Sequence, residues 1–222
     1  MKSVTWRTKT LSNATGRMTG SRVAMMASLL SISVPRSRAS GISASVYART
    51  RAFELDPFAV VINSNYGQVC YLARDFDCAI NHFRRTLEPD STWATGHWRL
   101  GVAYARKNLL GEAVRTIRRG VDLAPERPDF LADLAGAQAL AGDTSAARAT
   151  LARAKQRPRE GFSIARAYVA LGEPDSAFAW LERSSWQWPH RAARADPALD
   201  PLRSHPRFAR LVARVDREMG MR

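Results

Sequence analysis

Apolar residues recur every three or four positions along most of the chain, in paired segments that short polar turns join. This spacing puts apolar side chains on one face of a helix, so it predicts α-helices rather than strands. Pro125 and Gly142 mark helix ends, and Asp75 and Asp143 are suited to cap the helices that follow them. The pattern predicts four helix pairs, at about residues 59–73 with 76–87, 92–107 with 110–123, 128–141 with 144–155, and 161–171 with 174–185.

The helix pairs repeat at a fixed offset. A step of 34 residues back from Gly101 reaches Gly67, and the same step forward reaches Ala135. A fourth copy comes four residues early, with its small residue at Ala165. The second helices repeat in the same way, with small residues at Ala79, Ala113, Ala147 and Ala177. Small side chains let two helices approach closely, so these positions are expected to lie where the helices of each pair meet.

The second pair shows which family the repeat resembles. A leucine, a glycine and a tyrosine open its first helix, and an alanine, a branched residue and a proline follow in its second: Leu100, Gly101, Tyr104, Ala113, Ile117 and Pro125. This arrangement resembles the tetratricopeptide repeat (TPR), a helix pair of about 34 residues, and the resemblance covers about residues 52–185. It implies an all-α fold, a right-handed α-solenoid of TPR helix pairs with a C-terminal capping helix. The composition of the residues before the repeat adds a poorly ordered N-terminal leader to this prediction.

We therefore predict three regions. Residues 1–45 form a basic, Ser/Arg-rich leader whose apolar run at 23–30 is too short to span a bilayer, and we favour a disordered or loosely helical leader over a signal peptide. Residues 46–185 form the solenoid, with a partial repeat at 46–57 and repeats at about 58–90, 91–125, 126–157 and 158–185. Residues 186–222 form an irregular segment, with Trp186 and Trp188, and a capping helix.

The end of the chain carries a second resemblance. Residues 168–183 and 200–208 are similar to the C-terminal TPR segments of bacterial multidomain signalling proteins. Those proteins have a Ser/Thr kinase, an adenylate cyclase, or a winged-helix and TolB-like region upstream. The resemblance implies an interaction or regulatory module, and it offers an alternative function: a detached or truncated regulatory TPR tail of such a protein.

The charge of the chain is strongly basic, with a formal net charge of +14. Nine Lys or Arg residues and no acidic residue precede Glu54, so the other 25 basic and 20 acidic residues leave a balance of +5. A basic nucleic-acid-binding protein is our third hypothesis, and we rank it below protein binding. The two cysteines, Cys70 and Cys78, are interpreted as reduced thiols, in agreement with a predicted cytoplasmic location.

Catalytic chemistry has no support in the sequence. The chain contains no phosphate-binding glycine loop, no His-Glu-x-x-His and no Gly-x-Ser-x-Gly, and its four histidines are scattered. We therefore predict no enzyme activity, no catalytic residue, no metal and no cofactor.

The TPR resemblance does imply a binding surface. In such a stack the first helix of each pair lines a concave groove, which suits an extended peptide or a partner protein. Read onto this chain, the groove-facing positions also include Val102 and Gly136, and the candidate binding residues are Asn65, Gln68, Tyr71, Trp98, Arg99, Arg106, Asp129, Asp133, Phe162 and Arg166. The cation-and-amide clamp of chaperone-binding TPR domains is not matched, because Ser64 and Ala132 lie where it would be needed.

Overall fold

A computed structural model describes residues 60–156, 161–183 and 194–218. Within these ranges every regular element is a helix. The α-helices are α1 (Val60–Leu72), α2 (Phe76–Arg85), α3 (Ala94–Arg106), α4 (Leu110–Leu123), α5 (Pro128–Leu140), α6 (Thr144–Lys155), α7 (Gly161–Ala170), α8 (Pro174–Arg183) and α9 (Pro206–Glu218), with a 3₁₀ helix at Pro197–Leu202. The bounds of the four pairs agree with the sequence prediction to within two residues at each end.

The turn inside each helix pair repeats with the sequence period. One residue of each turn has a positive φ, namely Arg74 (64°), Asn108 (61°), Gly142 (88°) and Gly172 (74°). The first three are 34 residues apart and the fourth comes four residues early, as in the pattern of small residues. Asp75 and Asp143 cap the helices that follow, through backbone N–H groups of Cys78 and Ala146. The same hairpin is therefore built four times.

The small residues lie where the helices of each pair meet. A Cβ on Gly67 would be 2.6 Å from Cδ1 of Phe83 on α2, and one on Gly101 would be 2.9 Å from the backbone nitrogen of Ile117 on α4. Ala135 and Ala165, at the matching positions of α5 and α7, are fully buried. This confirms the expectation that small side chains permit the close approach.

The pairs stack along the chain, but the fourth joins the stack differently. The first helices α3 and α5 pack on the second helices of the preceding pairs, α2 and α4. In contrast, α7 packs chiefly on α5, another first helix. The contact is possible because small residues meet there, with the Cβ position of Gly136 at 3.6 Å from Cα of Ala167. This contact between α5 and α7 brings Arg166 of α7 next to Asp133 of α5.

The C-terminal segment covers the fourth pair. Leu199 and Leu202 of the 3₁₀ helix and Phe208 of α9 form a buried cluster with Phe162 of α7 and Phe178 of α8. Arg207 of α9 also binds Glu182 at the end of α8. Together with the stacked hairpins, this confirms an all-α solenoid with a C-terminal capping helix.

One expectation about the cysteines was wrong. Cys70 on α1 and Cys78 on α2 form a disulfide bond rather than a pair of reduced thiols. Eight residues separate them in sequence, but the hairpin turn brings their Cα atoms to 5.7 Å, within the range that a disulfide needs. The two cysteines therefore give no support to a reducing compartment, and the cytoplasmic location stays a prediction.

Other expectations fall outside the described residues. They concern the leader at 1–45, the partial repeat at 46–57, and Trp186 and Trp188, so all of these stay predictions, as do the boundaries of the three regions. Among the helices that the structure describes, none is both long and apolar enough to cross a membrane.

Candidate functional site

A small cleft lies among the first helices of the stack. Its walls come from the first helices α1, α3, α5 and α7 and from Ile117 of α4, and Ala198 of the 3₁₀ helix closes it on one side. The lining residues are Tyr71, Val102, Ala105, Arg106, Ile117, Asp133, Gly136, Ala137, Leu140, Arg166, Ala170 and Ala198. The cavity volume is about 30 Å³, which is room for one or two water molecules.

Arg166 is the central charge of this cleft. Its side chain is 11% exposed and forms ion pairs with two carboxylates, those of Asp133 and Asp196. The second of these has an Nη1–Oδ2 distance of 3.2 Å. Burial would lower the pKa of Arg166, but the two carboxylates outweigh it and raise the pKa above its usual value. The guanidinium thus stays charged and holds α5, α7 and the C-terminal segment together.

Asp133 is a buried carboxylate on α5, with 7% of its surface exposed. Its Oδ2 accepts hydrogen bonds from Arg166 and from the indole N–H of Trp98, the latter at 2.8 Å. Burial raises the pKa of Asp133 to about 6, although Arg166 and Trp98 act in the opposite direction. The Trp98 ring stacks on Phe130 at 4.9 Å between centroids, which fixes the direction of the indole N–H.

Tyr71 reaches the same place from the first repeat. Its hydroxyl donates to Oδ1 of Asp196 at 3.1 Å, although the two residues are 125 positions apart in the chain. Burial, followed by the charge of Asp196, raises the pKa of the Tyr71 hydroxyl well above 10. The phenol is therefore a permanent hydrogen-bond donor here.

A second carboxylate of the C-terminal segment also contacts the first repeat. Asp200 accepts two hydrogen bonds from Arg74, from Nε at 3.2 Å and from Nη2 at 2.6 Å. Burial acts to raise the pKa of Asp200, but the hydrogen bonds from Arg74 and Arg203 outweigh it and lower the pKa below its usual value. Such a bidentate pair fixes orientation as well as charge. Arg74 is the positive-φ residue of the first hairpin turn, so the repeat geometry places it at this edge of the groove.

The structure brings together part of the predicted site. Tyr71, Asp133 and Arg166 converge on one point, with Trp98 bound to Asp133, and Arg106 lines the same cleft.

The remaining predicted residues do not line the cleft. Asn65 is exposed and Gln68 is half-buried, both on α1 outside the cleft lining. Arg99 donates to the backbone and hydroxyl oxygens of Ser64 at the α1–α3 joint, and burial lowers its pKa. Asp129 pairs with Arg127. Phe162 packs in the cluster of the C-terminal segment, and the Arg166 guanidinium lies over its ring at 5.4 Å from the centroid.

Three residues of the site were not predicted from sequence: Arg74, Asp196 and Asp200. The two aspartates precede prolines in the repeated step Asp196-Pro197 and Asp200-Pro201, which is a visible local feature. Nothing in the sequence indicates, however, that this segment returns to the first repeat.

One group of side chains has the composition of a metal site. Ligand atoms of Cys70, Cys78 and His82 lie within 4.8 Å of one another. The two thiols are joined in the disulfide and so provide no thiolate ligand, and His82 binds the side chain of Asn63 at 3.0 Å. We therefore assign no metal to this group.

The fold and the site together define a helical-repeat protein whose first helices bring hydrogen-bonding and charged side chains together in one cleft. No family model matches the chain, and no curated protein matches its sequence. Among solved structures, TTC0263, a thermophilic TPR protein in Thermus thermophilus, is similar with a TM-score of 0.55 and 15% identity, over 90% of this chain and 97% of that one.

Two further solved structures have lower scores. MamA has a TM-score of 0.49 and 19% identity, over 74% of this chain and 96% of that one. YrrB, described as a TPR protein with an unusual peptide-binding site, has a TM-score of 0.46 and 18% identity, over 79% of this chain and 85% of that one. The similarity to TTC0263 supports the TPR fold, and it says nothing about a partner.

Proposed function

We propose that the protein is a non-enzymatic scaffold that binds a peptide or a partner protein in its concave groove. One observation supports this most directly. Side chains of three different first helices, Tyr71, Asp133 and Arg166, point their polar groups to one place on the concave face. Even a paired buried ion pair often adds no more stability than packed apolar residues would, so such a cluster is more typical of a recognition surface than of a core built for stability.

The proposal is tested by a matched pair of charge reversals. Arg106→Glu alters the cleft lining on the first helix α3, and Arg118→Glu makes the same charge change at an exposed position on the second helix α4. Each tagged chain is used to capture proteins from nuclease-treated lysate of the native cell, so that binding through nucleic acid does not contribute. We expect the amount of specific partner to fall at least tenfold with Arg106→Glu and to stay unchanged with Arg118→Glu. Equal capture by both variants would contradict a role for the groove.

A regulatory TPR segment of the bacterial signalling type is a second candidate. It is favoured by the sequence resemblance and by one contact between the two resembling stretches, 168–183 and 200–208, in which Arg207 forms ion pairs with Asp175 and Glu182. Genomic sequence upstream of the codon for Met1 tests it. An in-frame kinase or cyclase domain would support it, and a separate promoter next to unrelated genes would contradict it. In either case we retain the cytoplasm as the proposed compartment.

A further inference from the structure

The groove of this protein is already occupied by a segment of the same chain. Residues 194–203 cross the concave face and contact the last helix pair through Arg166 and the first pair through Tyr71 and Arg74. Ala198 of this segment lines the cleft, and the space that remains is about 30 Å³. A ligand in the same groove would therefore have to displace the segment.

The segment is held by apolar contacts, in which Leu199 and Leu202 pack against the last helix pair, and by polar contacts from the groove to its carboxylates. Asp196 is 3% exposed and accepts hydrogen bonds from Tyr71 and Arg166, in addition to one from the backbone N–H of Ala198 in its own segment. Asp200 accepts the bidentate pair from Arg74. The groove thus provides a phenol and two guanidinium groups for two aspartates that are four positions apart in the chain.

The segment has the form of a peptide that the groove holds. Arg203 donates to the backbone oxygens of Arg194 and Asp196, at 2.6 and 3.3 Å, so the segment organises its own loop. The groove then contacts this loop through its acidic side chains. Arg166 is shared between Asp196 and Asp133, so one cation serves two carboxylates. This arrangement is unfavourable for a purely structural contact, because the desolvation of buried charges is offset only when every charge is fully paired.

Resting on the function proposed above, we propose that the groove recognises an acidic peptide segment with two aspartates at the spacing of Asp196 and Asp200, and that residues 194–203 occupy the site until such a segment of a partner protein displaces them. The partner's first carboxylate takes the place between Tyr71 and Arg166. Its second takes the place at Arg74.

The test uses a peptide of residues 194–204, called the acidic peptide for its two aspartates although its two arginines balance their charge. It carries a fluorophore, and its termini are blocked so that no terminal carboxylate contributes. Binding is measured by fluorescence anisotropy to the whole chain and to an opened variant, Asp196→Asn with Asp200→Asn. In the variant, the amide at 196 can retain the bonds from Tyr71 and Ala198, but it turns an N–H₂ group towards Arg166. A tethered competitor acts at an effective concentration in the millimolar range, so opening should tighten the apparent Kd by roughly 10- to 100-fold.

Matched controls separate carboxylate recognition from general charge. Asp122→Asn with Glu126→Gln removes two acidic charges at exposed positions outside the segment, and should leave the Kd of the whole chain unchanged. The same peptide with asparagine at both aspartate positions should bind the opened variant at least tenfold more weakly. Adding Tyr71→Phe and Arg74→Met to the opened variant should produce a similar loss with the acidic peptide.

Hydrogen exchange on the unaltered chain gives a second measurement that needs no substitution. A millimolar concentration of the acidic peptide should speed exchange of the amides of Leu199 and Arg203, which bond to backbone oxygens within the segment. The asparagine peptide should leave them unchanged. Equal affinity of both peptides for the opened variant, together with unchanged exchange, would overturn the proposal.

The outcome is separable from that of the proposed function. If lysate capture depends on Arg106 but the acidic peptide does not bind, the groove binds partners of another chemistry and only the present inference fails. If neither capture nor peptide binding depends on the groove, both fail.

Discussion

The close approach of α3 and α4 at Gly101 leads to a sharp test of the repeat geometry. Replacing a helical glycine by alanine ordinarily stabilises a helix by about 1 kcal/mol, because glycine loses more backbone freedom on folding. At Gly101 the added Cβ would lie 2.9 Å from the nitrogen of Ile117 and 3.0 Å from the carbonyl oxygen of Ala113. Both are backbone atoms of α4, so no rotamer change can relieve the contact and the two helices must separate.

Gly136 on α5 provides the matched control. It is also buried and helical, but its added Cβ would have its nearest contact at 3.6 Å, from Cα of Ala167, which is an ordinary van der Waals distance. Overpacking costs about 1–3 kcal/mol, and more where backbone must move, so Gly101→Ala should lose about 2 kcal/mol net of its propensity gain. Gly136→Ala should retain that gain of up to about 1 kcal/mol.

Thermal unfolding followed by circular dichroism at the helix band measures the difference. For a chain of this size about 1 kcal/mol corresponds to roughly 2–4 °C, so Gly101→Ala should lower the Tm by roughly 4–8 °C and Gly136→Ala should leave it equal or raise it slightly. A Gly101→Ala chain as stable as the wild type would show that α3 and α4 do not meet there. An equally large loss at Gly136 would remove the geometric argument.

Two further predictions concern the groove and the C-terminal segment. Burial raises the pKa of Asp133 in the folded state from 3.8 to about 6. The folded protein therefore binds a proton at Asp133 more tightly than the unfolded chain does. The stability that this bound proton contributes is lost as the pH rises from about 4 to about 6. In urea unfolding at a series of pH values, the free energy of unfolding of the wild type should fall by about 1–3 kcal/mol relative to that of Asp133→Asn across this window. A difference between the two proteins that does not change with pH would contradict the prediction. Leu199→Ala should cost about 2–5 kcal/mol in urea unfolding because this side chain is fully buried, whereas exposed Ser204→Ala should cost less than about 0.5 kcal/mol, and similar losses would be inconsistent with the packed cluster.

The arrangement of the groove also explains why the predicted site was only partly recovered. Tyr71, Asp133 and Arg166 were identified because each occupies a repeated position on a first helix, and the repeat fixes which face that position presents. Arg99 occupies such a position too, but its long side chain turns to Ser64 at the joint between two repeats. The period determines where a Cα lies, and neighbouring side chains determine where a long side chain ends.

The sequence by itself determined the hairpins. Helix periodicity, the 34-residue step and the small residues at Gly67 and Gly101 are local or strictly repeated features, so each can be read without knowing the rest of the fold. Only the tertiary structure decided what occupies the groove. The contact of Tyr71 with Asp196 joins residues 125 positions apart, and it depends on how four hairpins and the direct α5–α7 contact add up to bring the two ends together. No local sequence pattern encodes the distance between the first repeat and the C-terminal segment, because small changes in packing between neighbouring hairpins accumulate along a stack.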